Sequence, residues 1–390
     1  MRRFALLVAG LALLAGVAAT VSGGGTQAEA RWVITDLGTL GGEKSEAVAI
    51  NERGQVVGTS QVERGKWPEH AFLWHRGRMA DLGTLGGPQS VPYAINNRGE
   101  IVGLAQSKGA EYASLWRNGK ITVLGSSGGW AEAINERGQV VGTSGDFLNF
   151  GSGAFLWQNG KMRRLGTLGG DESDATDINE RGQVVGSSDT KKNEASNHAF
   201  MWQGGAMTDL GTIGARLYSE AVAINDNGQV VGFSDNAGER GRAFLWYAGE
   251  LTDLGTLPGR TQSAAVAINE RGQIAGVGFK QGDWSVYFDH FVEPHASLWQ
   301  DERLIDLGTL GGRQSVPYAI SESGQIVGKS TTASGKLHAF VWQSGKMTDL
   351  GTLGGKKSKA VAVNNHGQIV GWAMTASGKK HAVLWTLKRG

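Results

Sequence analysis

Histidine, serine and aspartate recur along this chain at fixed offsets, so hydrolytic or metal chemistry is the first question. Five of the eight histidines, His70, His198, His295, His338 and His381, hold one position in a recurring run that ends in Trp. A serine recurs as well, at Ser45, Ser90, Ser173, Ser219, Ser263, Ser315 and Ser358, and a carboxylate at Asp36, Asp81, Asp209, Asp253, Asp306 and Asp349. Residues repeated in this way lie one per repeat and too far apart to share a metal ion. The expected role of the histidines is structural, in a hydrogen bond to the repeat's own serine or backbone. No Ser–His–Asp trio stands out from the repeat. Asp226-Asn227-Gly228 faintly resembles a calcium loop, but four of the eight copies read N-E-R-G, with Arg where a ligand oxygen belongs. The G-T-L-G-G strings lack phosphate-loop spacing. The chain has no cysteine, which excludes thiolate metal sites and disulfides. No metal, catalytic residue or cofactor is therefore expected.

One stretch departs from the repeat. Phe279 to Pro294 reads FKQGDWSVYFDHFVEP and inserts about ten residues between two strands. Trp284, Tyr287, Phe288, Asp289 and His290 are the candidate binding residues: aromatics beside a carboxylate can stack on sugar rings or anchor a protein partner. The competing expectation is an insertion that folds back and packs its own aromatics. Residues 146–150, DFLNF, are a smaller outlier with the same two readings.

These residues hang on a repeat counted eight times. The Leu of L-G-T stands at Leu37, Leu82, Leu124, Leu165, Leu210, Leu254, Leu307 and Leu350, in steps of 41 to 53 residues. A Trp closes a second run at Trp74, Trp116, Trp157, Trp202, Trp246, Trp299, Trp342 and Trp385. Each repeat reads as four short β-branched or aromatic runs separated by N-x-x-G and x-x-G turns, with no helical periodicity. Four strands per step of this length is the period of a β-propeller blade. The expectation is an all-β propeller of eight four-stranded blades forming one domain over 31–390. Residues 31–40 supply the strand that the last repeat lacks, which closes the ring and buries both edges. The A-V-A-I-N runs are expected innermost, and the eight tryptophans as core between blades.

Composition bounds the rest. The chain has 390 residues, net charge +2, 19% charged and 40% hydrophobic residues, and 62 glycines. Near-balanced charge gives no reason to expect nucleic acid. Arg2 and Arg3, an apolar run from Phe4 to Val21, and Ala28-Glu29-Ala30 read as a secretory signal over 1–30. The alternative is a retained membrane anchor. After cleavage, a secreted or periplasmic monomer with no membrane contact is expected.

The runs His70-Ala71-Phe72, His198-Ala199-Phe200 and His338-Ala339-Phe340, each upstream of an L-G-T-L-G-G-like string, resemble the HAF repeat of bacterial extracellular repeat proteins. The resemblance covers 31–390 and implies an exported, propeller-like protein of uncharacterised activity, with no catalytic residues to carry over. Tyr112, Gly153 and Arg242 depart from the histidine position, so a ligand set needing every copy is not expected. The functional expectation is a binding or structural module for extracellular carbohydrate or a surface protein. The alternative is a polysaccharide lyase or glycosidase acting at a channel mouth.

Overall fold

The computed structural model describes residues 30–65, 68–145, 152–191, 196–214, 218–236, 239–280 and 292–388. The expected signal over 1–30 lies outside the described residues except for Ala30. None of the described residues forms a helix. They form short antiparallel strands, and the reason is local. In the first sheet, Ser45–Ile50, Val56–Gln61, Glu69–His75 and Arg78–Asp81 follow one another as neighbours. The Asn51 side chain makes the first turn, its Oδ1 accepting the N–H groups of Arg53 and Gln55, both at 3.0 Å. Arg76 and Gly77, with φ of 49° and 82°, make the tight turn between the third and fourth strands.

A bulge between Ala47 and Ala49 bends the first strand over Gly58. A Cβ at Gly58 would lie 2.0 Å from the Glu46 carbonyl oxygen. That is why the second strand of every repeat carries a glycine here.

Six sheets have this four-stranded meander, with first strands Ser45–Ile50, Ser90–Ile95, Trp130–Ile134, Ser173–Ile178, Ser219–Ile224 and Gln262–Ile268. The rest of the chain forms one sheet of eight strands. Eight separate blades, as the repeat count leads one to expect, are not what the strand pairing displays. The reason lies in strand length. Gly311–Ile320 and Gly354–Val363 have ten residues and run back through the G-G crossover. The longer strand lets Lys357 pair in parallel with Leu337, and this single pair stitches two four-stranded halves together.

In the second half, Arg31–Gly38 pairs antiparallel with Lys380–Lys388, so the N-terminal strand does complete the last repeat. The strand Leu337–Gln343 also carries Lys346–Asp349, as each third strand carries its fourth.

The core lies between sheets. Phe155 and Trp157 of the third sheet pack on Val102, Ala113 and Leu115 of the second. Seven of the eight repeated tryptophans are buried, and Trp74 is half-buried. The indole N–H groups of Trp116, Trp299 and Trp385 donate to the carbonyls of Leu82, Leu254 and Leu350 in the preceding repeat. First strands pack against first strands from one sheet to the next. Radially repeated four-stranded antiparallel sheets, with the A-V-A-I-N strand first and the Trp strand third, make this a β-propeller.

Candidate functional site

The candidates Trp284, Tyr287, Phe288, Asp289 and His290 lie outside the described residues, as do 146–150. The histidines are described, and the partner of each is the repeat's aspartate, where a serine or the backbone was expected. His70 Nδ1 lies 2.9 Å from Asp81, and the matching pairs are His198–Asp209, His295–Asp306, His338–Asp349 and His381–Asp36. Strand register explains this: Phe72 faces Asp81, so His70, two residues along on the same side, reaches the carboxylate diagonally. Arg242 takes the position in its own repeat and grips Asp253 through Nε and Nη2. At Asp306, burial pushes the carboxyl up, but the His295 and Gly308 hydrogen bonds outweigh it and the group sits below its ordinary range.

The serine instead ties repeats together. Ser90 Oγ donates to the Gly83 carbonyl at 2.7 Å and accepts the Ala71 N–H at 2.9 Å.

The N-x-x-G turns do more than reverse the chain. Asn51 Nδ2 donates to the Asn96 carbonyl of the next repeat, Asn96 to Asn135, and so on through Asn135, Asn179, Asn225 and Asn269. The series lapses at Ser321, which has no amide to give. Asn364 Nδ2 then donates to Asn51 O, across 313 residues of sequence.

A second series runs beside it. The backbone N–H after each Asn or Ser donates to the following repeat's Glu136, Glu180, Asp226, Glu270 or Glu322, to Asn97 or Asn365, or back to Glu52. Burial raises the Glu270 carboxyl first, and the neighbouring charges of Asp226 and Glu322 raise it further against the Asp226 N–H. The recurring E of N-E-R-G was the signal for this series, and sequence reasoning read it only as turn.

A second set of functional groups went unnoticed because it breaks the repeat. Along a first strand, side chains alternate: Ser45 and Ala47 are buried between sheets, while Glu46 and Val48 are half-exposed toward the axis. In repeats three to five these axial positions hold Trp130, Glu132, Asp174 and Glu220. Thr143 Oγ1 donates to Asp174 at 2.8 Å, and the Tyr218 hydroxyl donates to Glu220 at 2.7 Å.

Burial pushes the Glu132 carboxyl up to about 7, helped by the Asp174 charge and opposed by a hydrogen bond from Trp130. Burial likewise raises Asp174 against the Thr143 bond, and Glu220 against the Tyr218 bond. Asp177, deeper in the same strand as Asp174, accepts from Ile178 and Ile224 and is raised by burial to about 6.

The last two repeats put cations and aromatics in the matching region. Lys359 lies 4.1 Å from the Tyr318 ring centroid, and Lys380 pairs with Glu46 beside Trp372. A carboxyl raised to about 7, as at Glu132, can donate as well as accept hydrogen bonds, and flanking rings supply apolar faces. This arc can hold a polyhydroxylated ligand or deliver a proton to one.

No protein-family profile matches the chain, and no curated protein matches it either. Solved structures do. The chain is similar to dipeptidyl peptidase 4 of Porphyromonas gingivalis at 10% identity, over 90% of this chain and 58% of that one, with a TM-score of 0.54. It is similar to prolyl endopeptidases at 9% identity, over 89% and 55%, with a TM-score of 0.53. A third likeness, at 11% identity over 77% and 94% with a TM-score of 0.49, is to the β-propeller domain of the Trilobed protease from Pyrococcus furiosus. The chain spans a little over half the length of the first two peptidases. At these identities the likeness concerns fold alone.

Proposed function

We propose that the chain is a closed eight-bladed propeller, exported by its N-terminal signal as the HAF-repeat resemblance implies, that binds carbohydrate at its axial wall. Closure is supported by the Asn364–Asn51 and Asn365–Glu52 hydrogen bonds and by packing of the strand Gly354–Val363 on Ser45–Ile50. On this reading the eight-stranded sheet is two blades joined by one bridging pair.

The observation that carries the binding role is the arc of Glu132, Asp174 and Glu220 beside Trp130 and Tyr218. Framework needs do not explain it, because the same positions in the sixth sheet are Ala264 and Val266. Partly desolvated carboxyls are costly unless they are used. Sugar hydroxyls would satisfy them, and the indole would cover an apolar sugar face.

The test is a glycan array probed with the mature protein, with Asp174→Asn, with Trp130→Ala, and with Trp284, Tyr287 and Phe288 changed to Ala. Binding lost in folded Asp174→Asn and Trp130→Ala supports the axial site. Loss confined to the triple variant moves the site to the 279–294 insertion. Capture of a surface protein with no glycan bound would replace carbohydrate by protein as the ligand.

A second reading is favoured by the Glu132 carboxyl at about 7 beside a second carboxylate. One group would donate a proton and the other assist water or a sugar cation, as paired carboxyls do in glycoside hydrolysis. Release of reducing ends from a polysaccharide, abolished by Glu132→Gln, would establish it.

A further inference from the structure

The entrance to the sixth sheet holds more positive charge than its partners use. Arg260 lies just before the first strand Gln262–Ile268, and Lys280 ends the second strand, Ile274–Lys280. Glu293 lies in the third strand, Val292–Gln300, and Arg313 in the strand Gly311–Ile320 that follows. Lys280 Nζ is 2.7 Å from Glu293 Oε2, and Arg260 Nη1 is 3.8 Å from the same oxygen. The Lys280 hydrogen bond, followed by its charge and those of Arg260 and Arg313, holds the Glu293 carboxyl below its ordinary range against its burial. Two cations thus converge on one carboxylate, and the charge of Arg313, on an exposed side chain, adds to theirs.

Arg260 also carries a cost that this pair does not relieve. Its side chain is only 14% exposed. Its Nε–H is buried and meets no acceptor among the described residues. Buried donors are almost always paired, and a buried guanidinium N–H left open calls for an acceptor from elsewhere. The nearby Asp306 already serves His295 and the Gly308 N–H.

We propose that Arg260 and Lys280, with the charge of Arg313 beside them, form a binding site for an oxyanion: the carboxylate, sulfate or phosphate group of a ligand. Glu293 is the internal carboxylate that part-fills the site and competes with it. The fork of a guanidinium suits two oxygens of one anionic group, and the two remaining cations supply charge. The residues of this site are not those of the axial arc, and the proposal stands whether or not carbohydrate binds there.

The test is titration of the full mature chain with sodium sulfate, sodium phosphate and sodium acetate. Calorimetry is run at constant ionic strength, with chloride as the control. Saturable binding of one or more anions is expected, and the anion bound most tightly identifies the source group. Arg260→Gln should weaken it by about tenfold or more, the loss of a charge-assisted hydrogen bond. Arg313→Gln, at an exposed position that leaves the strand intact, should weaken it less. Glu293→Gln is the decisive variant, because removing the competitor should tighten binding several-fold, whereas a purely structural ion pair would show no anion effect. No saturable binding by any of the three anions overturns the proposal, as does unchanged or weakened binding in folded Glu293→Gln.

Discussion

Ser321→Asn should stabilise the protein, and the expected size follows from its sister turns. Asn225 shows what the position normally does. Its Nδ2 donates to Gln229 Oε1 at 2.8 Å and to the Asn269 carbonyl at 3.0 Å, and its Oδ1 accepts the Gln229 N–H at 3.0 Å. Ser321 retains only the last of these, as a longer bond of 3.2 Å from Gln325 N–H, and its hydroxyl pairs with Ser323. Gln325, the counterpart of Gln229, is therefore left with a buried Oε1 that has no partner. The backbone already has the right shape, since Ser321 and Gln325 make the same turn hydrogen bond as the other copies.

An amide here would form two hydrogen bonds, to Gln325 Oε1 and to the Asn364 carbonyl, worth about 0.5–1.5 kcal/mol each, and would relieve an unmet acceptor costing about 1–3 kcal/mol. Ordering a longer side chain offsets part of this. The net expectation is about 1–3 kcal/mol. At roughly 2–4 °C per kcal/mol for a 150–250-residue domain, and less for a longer chain, Tm should rise by a few degrees. The assay is thermal unfolding followed by circular dichroism, with Asn225→Ser as the mirror experiment, expected to lower Tm by a similar amount. If Ser321→Asn left Tm unchanged or lowered it while Asn225→Ser destabilised, the missing amide would not be what leaves Gln325 unmet. The physical account of the turn ring would then fail.

Two further perturbations test other parts of the structure. Glu132 and Asp177 have folded carboxyls raised to about 7 and about 6 from 4.5 and 3.8, by burial in both cases. The folded state therefore binds more protons than the unfolded chain between those values, and stability falls as pH rises through that window. Denaturant unfolding from pH 4.5 to 7.5 should show this loss, on the order of 1–3 kcal/mol for Glu132. Glu132→Gln should flatten the profile, and an unchanged slope in that variant would remove Glu132 as the cause. Trp385→Ala should cost about 3–5 kcal/mol, because the indole is fully buried and donates to Leu350 O. Trp74→Ala, at a half-buried copy, should cost measurably less, and equal losses would contradict burial as the governing term.

Much of this molecule was legible in the sequence, because its repeat writes local physics eight times over. The four-strand order, the N-x-x-G turns and the tryptophans between sheets follow from period and β-propensity, which act within one repeat, whereas the ten-residue strands Gly311–Ile320 and Gly354–Val363 that join two repeats in one sheet do not. The pairing of Arg31–Gly38 with Lys380–Lys388 was also readable, since each end lacks one strand of the pattern. The partner of His70 was not, because diagonal neighbours depend on strand register, and the serine named in its place turned out to bridge repeats. The axial arc was harder still. Trp130, Glu132, Asp174 and Glu220 look like ordinary departures from A-V-A-I-N when each strand is read alone. They become one site only when sheets some forty residues apart in sequence stand side by side and turn the same alternate face inward. Sequence determined the strands and their order. Tertiary structure decided which side chains meet around the axis, because that choice depends on burial and on charges brought close by packing, and neither exists in the unfolded chain.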